Sequence, residues 1–391
     1  MRPLFAGVVW WFIGLVWAGA VQATPYLPAS DNQVLERLRT RPADPAAREL
    51  RALRNRLAQK PRDLQLATGL AKRYIEQGRL EADPRYNGYA QAALAPWWNA
   101  PHPQPPVLVL RATLRQSNHD FDGAVADLEQ ARKVAPADPQ VWVTLALVRQ
   151  VRGEYAEAKR DCLPLLHLST ELVAITCLGS VASLNGQAAE SFALLERVLA
   201  RSSTASAAEK LWAQTVLAEM AVRLRHPGLA APLFKRALAT GPDSYLLAAY
   251  ADFLLDENRP QEAIALLKDH TRVDALLLRL AIAEAAVGAP EAANHRQALA
   301  ARFAAARLRG DTVHRREEAR FALELERQPA QALALALANW QVQREPADAR
   351  VLLAAALAAQ DREAARPVQA WLRRNHLEDA RLAALDRQLG R

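Results

Sequence analysis

The most constraining feature of this sequence is a recurrence at an interval of 34 residues. Four positions are matched 34 residues later by a residue of similar character: Ala112 by Ala146, Phe121 by Tyr155, Ala124 by Ala158, and Leu128 by Cys162. A single enzyme core has no reason to repeat at a fixed interval, whereas a stack of similar helix pairs repeats once per pair. The sequence therefore predicts an array of repeated units.

Composition indicates that the units are helical. Hydrophobic residues make up 51% of the 391-residue chain, and only 15 residues are glycine. Few stretches alternate apolar and polar residues with the period of two that strands need. We therefore predict an all-α protein.

The repeated residues resemble those of the tetratricopeptide repeat (TPR) family, in which two antiparallel helices carry large and small residues at fixed positions. The units that carry the resemblance contain, in chain order, Leu70, Ala71, Tyr74 and Gly78; Leu108, Ala112, Phe121, Ala124, Leu128, Ala131 and Pro136; Trp142, Leu145, Ala146, Tyr155 and Ala158; a weaker set of Ile175, Leu178, Gly179 and Gly186; Leu217, Ala218, Ala230, Phe234, Ala237 and Pro242; and Leu247, Ala251, Ala263 and Leu267. The resemblance implies a right-handed α-solenoid of about nine to ten TPR-like helix pairs. Small residues let the two helices of a pair approach closely, and each pair packs on its neighbours rather than on distant segments.

The quality of the match divides the chain into regions. It is good over 64–270, apart from an insertion at 79–106, and it decays over 271–391. We expect degenerate TPR-like pairs and a C-terminal capping helix in the last region. Residues 24–63 are expected to form an N-terminal helical cap.

Proline, glycine and aspartate mark the expected helix ends. Asp138 should cap a helix that begins at Pro139, and Gly241-Pro242-Asp243 should end one helix and cap the next. Further breaks are expected at Gly288-Ala289-Pro290, Gln328-Pro329 and Glu345-Pro346.

Residues 1–23 have the pattern of a signal peptide. Arg2 precedes an apolar run that reaches about Val21, and Val21-Gln22-Ala23 supplies the residues that signal peptidase needs. We predict cleavage after Ala23 and export to a bacterial periplasm. The alternative is a leader retained as a membrane anchor, because the run approaches the ~20 residues that span a bilayer.

The formal net charge of +8 does not indicate a nucleic-acid partner. Basic residues lie among acidic ones, as in RREEARFALELERQ at 315–328, which is expected to form a solvated helix face with i,i+4 ion pairs. A nucleic-acid-binding protein would show a one-sided basic stripe interleaved with aromatic residues. We therefore expect no nucleic-acid partner.

The sequence contains no motif that would support catalysis. CxxC, HExxH, GxSxG and phosphate-binding glycine runs are all missing, and the eight histidines are scattered. The stretch NHDFD at 118–122 falls where a turn within a unit belongs, so its aspartates are expected to cap a helix rather than bind a metal. We expect no enzyme activity, no cofactor and no metal site.

The two cysteines, Cys162 and Cys177, fall about equally far from a turn near Ser169-Thr170. Residues equidistant from the turn between two antiparallel helices lie at the same height, so a disulfide is feasible if the Cα atoms come within about 7 Å. The alternative is two buried free thiols.

The TPR resemblance also implies a binding surface, because the first helix of each pair lines a concave groove in that family. Carrying the groove positions onto this sequence gives Val109, Gln116, Val143, Leu147, Gln150, Thr176, Ser180, Trp212, Thr215, Glu219, Tyr245 and Asp252. The Lys, Arg and Asn residues with which some family members hold a carboxylate are not matched here. A neutral, partly apolar groove suits an extended or helical peptide, with Trp212 and Tyr245 either as anchors or as packing between units.

The insertion at 79–106 offers a second set of candidate contacts. It contains Tyr86, Tyr89, Trp97 and Trp98. These residues are expected either to contact a partner or to cover the exposed core of the first unit.

These observations lead us to expect a non-catalytic periplasmic TPR scaffold or adaptor. It would bind a protein or peptide partner, in envelope or secretion-complex assembly. One alternative is an envelope enzyme that hydrolyses cell-wall polymer on a helical superhelix, and another is a membrane-tethered assembly factor.

Overall fold

The computed structural model describes residue 30, residues 32–33 and residues 44–390. The predicted signal peptide lies outside these described residues, as do residues 24–29, 31 and 34–43 of the predicted N-terminal cap. The chain divides after Arg48, and the residues from Glu49 onward form one compact unit.

All regular secondary structure among the described residues is helical, which confirms the all-α prediction. The first helices are α1 Pro45–Gln59, α2 Leu64–Glu81, α3 Arg85–Ala93, α4 Ala95–Trp98, α5 Pro105–Ser117, α6 Phe121–Val134, α7 Pro139–Val151, α8 Tyr155–Cys162, α9 Leu165–Leu168, α10 Glu171–Ala182 and α11 Ala188–Arg201. They are followed by α12 Ala207–Arg223, α13 Pro227–Thr240, α14 Ser244–Asp256, α15 Pro260–Leu267, α16 Asp274–Val287, α17 Ala292–Leu308, α18 Arg315–Arg320, α19 Pro329–Trp340, α20 Pro346–Ala358, α21 Arg362–Asn375 and α22 Ala380–Leu389. A π-helical turn, Phe321–Leu325, continues α18. Among the described helices, none combines the length and the apolar character needed to cross a membrane.

The helices pack as consecutive pairs, which confirms the predicted solenoid. The pairs are α5 with α6, α7 with α8, α10 with α11, α12 with α13, α14 with α15, and α16 with α17. The first helices of successive pairs also contact one another in the order α5, α7, α10, α12, α14 and α16. Each pair therefore buries its apolar face against its neighbours, as a repeat array requires.

The small residues of the repeat lie where the two helices of a pair meet. Ala112, Ala124, Ala158 and Ala218 are each 0% exposed. The unit with the poorest match follows the same plan, because a Cβ added to Gly179 would lie 3.9 Å from Ser191 Cβ on the second helix of that pair. A larger side chain at these positions would push the helices apart.

The expected helix ends are confirmed. Asp138 caps α7 by accepting a hydrogen bond of 2.9 Å from the Gln140 amide, with Pro139 as the first helical residue. Asp243 caps α14 through the Leu246 amide at 2.7 Å. The later breaks agree as well, since α16 ends at Val287 and α19 and α20 begin at Pro329 and Pro346.

Most of the insertion is helical. Helix α3 is the partner of α2 and begins after Asp83, whose carboxylate accepts a hydrogen bond of 3.0 Å from the Arg85 amide. Trp97 and Trp98 are half-buried and pack against the apolar cluster that contains Leu70.

The C-terminal part of the fold departs from nearest-neighbour packing. Residues Arg315–Leu389, here called the C-terminal segment, contain α18 to α22 and return to the turns within two earlier units. The Arg344 amide donates a hydrogen bond of 2.7 Å to the Val151 carbonyl, and the Ala188 amide donates one of 2.7 Å to Glu378 Oε2. The ring centroids of Tyr155 and Trp371 are 6.0 Å apart.

Two glycines in left-handed backbone make this return feasible. Gly153 and Gly186 both have φ of +75° and lie in the turns between the helices of their pairs. An added Cβ would lie 3.0 Å from Trp371 Nε1 at Gly153 and 3.0 Å from His376 Cβ at Gly186. The C-terminal segment therefore approaches the backbone of these turns more closely than a side chain would permit.

Candidate functional site on the inner helices

The predicted groove residues lie on the first helices α5, α7, α10, α12 and α14, but their exposure differs. Four side chains are buried and contribute to packing: Val109, Thr176, Ser180 and Thr215. Seven are half-buried: Gln116, Val143, Leu147, Gln150, Trp212, Glu219 and Asp252. Tyr245 is the most exposed of the set, at 56%.

The buried polar groove residues form hydrogen bonds within the solenoid. Thr176 and Thr215 donate their hydroxyl hydrogens to the carbonyls of Leu172 and Leu211, at 2.6 Å and 2.8 Å. The Ser180 hydroxyl lies 3.0 Å from Gln150 Oε1, which joins α10 to α7 of the preceding unit. Buried polar groups need such partners, so these residues hold units together.

Tyr245 and Glu219 form a polar pair between successive units. Tyr245, on α14, donates its hydroxyl hydrogen to Glu219 Oε1 on α12. Burial raises the pKa of Glu219, although the hydrogen bond from Tyr245 opposes that shift. The Glu219 carboxylate in turn raises the pKa of Tyr245 well above its ordinary value. The pair therefore presents an exposed aromatic ring whose hydroxyl is held in a fixed orientation.

Asp252 is engaged by arginines that the groove pattern does not include. Arg279 on α16 and Arg320 in the C-terminal segment each contact a different oxygen of its carboxylate at 2.7 Å. Burial acts to raise the pKa of Asp252, but the two guanidinium groups outweigh it and hold the pKa well below the ordinary range. Asp252 is therefore a charged junction between the inner helices and the C-terminal segment.

The expectation of a solvated helix face at 315–328 is wrong. Glu317 and Glu318 are only 9% and 7% exposed, and Arg316 contacts Glu345 at 2.8 Å. The expected i,i+4 pair is present, between Arg320 and Glu324 at 2.8 Å. The buried charges of this stretch are satisfied by ion pairs, several of them with distant parts of the chain, rather than by water.

The tyrosines of the insertion form an aromatic cluster with the first unit. Tyr74 lies 6.0 Å from Tyr86 and 5.5 Å from Tyr89, measured between ring centroids. Tyr89 remains 51% exposed. Burial is the main cause that raises the pKa of Tyr86 to about 12.

A cleft of about 570 Å³ lies between α3 and α5 on one side and α16 and α17 on the other. Its lining combines apolar side chains with amides and charges. Residues that illustrate this mixture are Asn87, Gln91, Leu114, Phe303, Arg309 and His314.

Cys162 and Cys177 are joined by a disulfide, with Cα atoms 5.7 Å apart. Both residues are buried in the cluster that also contains Trp340 and Trp371. The bond connects the second helix of one unit to the first helix of the next.

The Asp120 carboxylate caps α6 by accepting a hydrogen bond of 3.0 Å from the Gly123 amide, as expected for NHDFD. Within the part of the chain that the structure describes, no three His, Cys, Asp or Glu side chains form a group that could hold a metal ion.

Solved TPR proteins are similar to this chain in fold. A tetratricopeptide repeat protein from Parabacteroides merdae is 14% identical, with 57% of this chain and 85% of that protein covered and a TM-score of 0.39. Human IFIT1, solved as a dimer with m7Gppp-AAAA, is 16% identical over 88% of this chain and 86% of its own, with a TM-score of 0.47. Yeast Tom70 is 9% identical over 88% and 95%, with a TM-score of 0.24. No protein-family model matches the sequence, and no curated protein sequence does either.

The 34-residue pattern of the sequence, the consecutive helix pairs and the buried alanines together decide the architecture. The chain is a TPR-like α-solenoid. In this TPR-like chain the residues of the predicted groove lie on the first helices of their pairs. The sequence did not reveal the arginines that bind two aspartates of α14: Arg279 and Arg320 bind Asp252, and Arg350 and Arg381 bind Asp256. These arginines carry no signal in the repeat pattern, because they lie in the region where that pattern decays.

Proposed function

We propose that this protein is a non-catalytic scaffold or adaptor of the periplasm that binds a protein or peptide partner through its inner helices. A TPR-like fold supports a protein-binding role, since such folds present rows of first helices to their partners. A role in assembling an envelope or secretion complex fits an exported chain of this kind.

The observation that carries the proposal is the exposure of Tyr245. It is 56% exposed on a first helix, next to half-buried Glu219. Aromatic side chains with an oriented polar tip are favoured anchors for peptide recognition. The neighbouring buried groove residues provide a rigid support for that anchor.

Photo-crosslinking at position 245 in cells tests the proposal. A benzophenone amino acid in place of Tyr245 is expected to capture a protein partner. The same replacement at Leu229, which is 47% exposed on the second helix α13, is the matched control and is expected to capture much less. Capture of no protein at 245, or of RNA instead, would contradict the proposal.

The cellular location is tested separately by the mass of the mature chain. We expect a mature N-terminus at Thr24. A chain that retains residues 1–23 would favour the membrane-tethered alternative.

A further inference from the structure

The cleft of about 570 Å³ lies between parts of the chain that are distant in sequence. Its first wall is α3 with the end of α5, and its second wall is α16, α17 and the residues up to His314. Early and late units meet elsewhere as well, since α2 contacts α14. The volume lies within the range of about 300–1,000 Å³ that is usual for ligand sites. This cleft, lined by residues of 84–118 and 274–314, is here called the seam cleft.

The apolar part of the seam cleft is held by two packed clusters. Leu114 on α5 and Phe303 on α17 both line the cleft, and each is 2% exposed. Leu114 belongs to the apolar cluster that contains Leu70, whereas Phe303 belongs to a separate cluster that contains Phe321. The cleft therefore lies where two apolar clusters face each other without merging, and its walls are fixed by the packing behind them.

Both acidic side chains that line the seam cleft are already engaged. Asp274 contacts Arg302 at 2.7 Å, and Arg302 also donates a hydrogen bond of 3.1 Å to the Thr271 carbonyl. Asp311 accepts a hydrogen bond of 2.9 Å from the Val313 amide. A cationic ligand would therefore compete with contacts that the protein makes within itself.

Two basic side chains of the second wall are not engaged. Arg309 and His314 line the cleft, and their side chains make no hydrogen bond or ion pair with the residues that the structure describes. A guanidinium group carries donors and no acceptor, and it binds a carboxylate through two parallel hydrogen bonds. The second wall therefore suits an acidic group of a ligand.

The first wall presents two amides at a regular spacing. Asn87 and Gln91 line the cleft four residues apart on α3, so they lie on one face of the helix with about 5–6 Å between their Cβ atoms. Neither side chain is hydrogen-bonded to a described residue. Alternate residues of an extended chain are about 6.6 Å apart, and a side-chain amide has the same donor and acceptor as a peptide group. The two amides therefore match the main chain of an extended peptide.

We propose that the seam cleft binds an extended peptide that carries an acidic side chain. Asn87 and Gln91 hold its main chain, and Arg309 and His314 hold its carboxylate. This inference rests on the proposed scaffold function and adds a second site, together with the chemistry of the partner that occupies it. The peptide contacts both walls, which come from distant parts of the chain.

 Nuclear magnetic resonance titration of the purified protein tests the proposal. The probe is an acetylated and amidated hexapeptide of alternating serine and valine with one central glutamate, and its matched controls carry glutamine or lysine instead. The reporters are the backbone amides of Gly88 and Ala305, which line opposite walls. We expect saturable shifts of both amides, with the glutamate peptide binding at least about tenfold more tightly than either control and than glutarate, a free anion. Shifts in one wall alone, equal binding of the three peptides, or equal binding of glutarate would overturn the proposal.

Two double variants separate the two halves of the site. Arg309→Gln with His314→Gln should bind the glutamate and glutamine peptides equally, because the partners of the carboxylate are removed. Asn87→Ala with Gln91→Ala should weaken both peptides by at least about tenfold, because the partners of the main chain are removed. Arg236→Gln, at an exposed position on the second helix α13, is the control and should bind as the unchanged protein does. A preference for glutamate that survives the first double variant would place the carboxylate elsewhere and contradict the proposal.

The two proposals can fail independently. Peptide binding in the seam cleft with no protein captured at position 245 would refute binding through the inner helices and leave the cleft as a peptide site. Capture at 245 with no shift of the Gly88 and Ala305 amides would refute the seam cleft alone.

Discussion

At the scale of single residues, the small side chains at the helix crossings are the most sensitive positions. Ala158 is 0% exposed, whereas Ala156 on the same helix is exposed. Ala158→Leu is expected to lower the free energy of unfolding by about 1–3 kcal/mol, because extra methylene groups do not fit a close-packed crossing. Ala156→Leu should change it by less than about 0.5 kcal/mol. Urea denaturation compares the two, and equal losses would argue against a tight crossing at Ala158.

Gly186 reports on the contact made by the C-terminal segment. Gly186 and Gly288 both have positive φ, but an added Cβ meets His376 Cβ at 3.0 Å only at Gly186, while Gly288 has nothing within 4 Å. Alanine at either site costs about 1 kcal/mol of backbone strain. We expect Gly186→Ala to reduce the thermal midpoint further than Gly288→Ala does, because it also displaces His376. Equal midpoints for the two variants would show that the contact at Gly186 contributes nothing.

Residue roles set by local rules could be predicted from the sequence, and those set by distant contacts could not. Asp138 and Asp243 cap helices because their own neighbours in the chain require it. Asp252 lies on α14, the first helix of its pair, but its partner Arg320 is 68 residues away in the sequence. A stretch of mixed acidic and basic residues looks the same in the sequence whether its charges are solvated or paired with distant residues. The burial of Glu318 could therefore not be predicted.

At the scale of elements, the ends of the helices were predictable because proline and glycine mark them. Pro329 and Pro346 begin helices where the sequence indicated. The insertion was harder, since the repeat consensus fails there although α3 still forms and pairs with α2. Its short helix has weak periodicity, and tertiary packing decides its structure.

The disulfide links two such elements and gives a stability prediction. Cys162 and Cys177 enclose a loop with a sequence separation of 15. Replacing both by serine is expected to lower the free energy of unfolding by about 3 kcal/mol, since the unfolded chain is no longer constrained. Urea denaturation with and without reductant measures the loss, and reductant should not affect the double-serine variant. Alkylation of two thiols in the unreduced, unfolded chain would show that no bond forms.

At the scale of the whole molecule, a repeat pattern encodes contacts between neighbouring units. It does not encode the contacts by which the C-terminal segment packs back on earlier units. The periodic alanines therefore predicted the stacking of α5 to α17, but not the contact of Glu378 with the Ala188 amide across 190 residues. That contact depends on how the curvature of successive pairs accumulates, which no single unit specifies. Charged junctions such as Asp252 then fix the position of the returning segment.

The junction at Asp252 makes the stability of the whole unit depend on pH in a defined direction. A carboxyl group with a lowered folded-state pKa stabilises the fold fully above its unfolded pKa of about 3.9, and that stabilisation is lost as the pH falls toward the folded value. Burial alone would raise the pKa of Asp252, but the charges of Arg279 and Arg320 outweigh burial and lower it.

Asp252→Asn should therefore lower the free energy of unfolding by about 3 kcal/mol at pH 7, because two buried guanidinium groups lose their counter-charge. The difference between the variant and the unchanged protein should shrink below about pH 4, because Asp252 then binds a proton in the unfolded chain while it stays ionised in the folded one. Urea denaturation at a series of pH values from 7 to 2.5 measures this difference, and a constant gap across the series would mean that the carboxylate charge does not join the C-terminal segment to the inner helices.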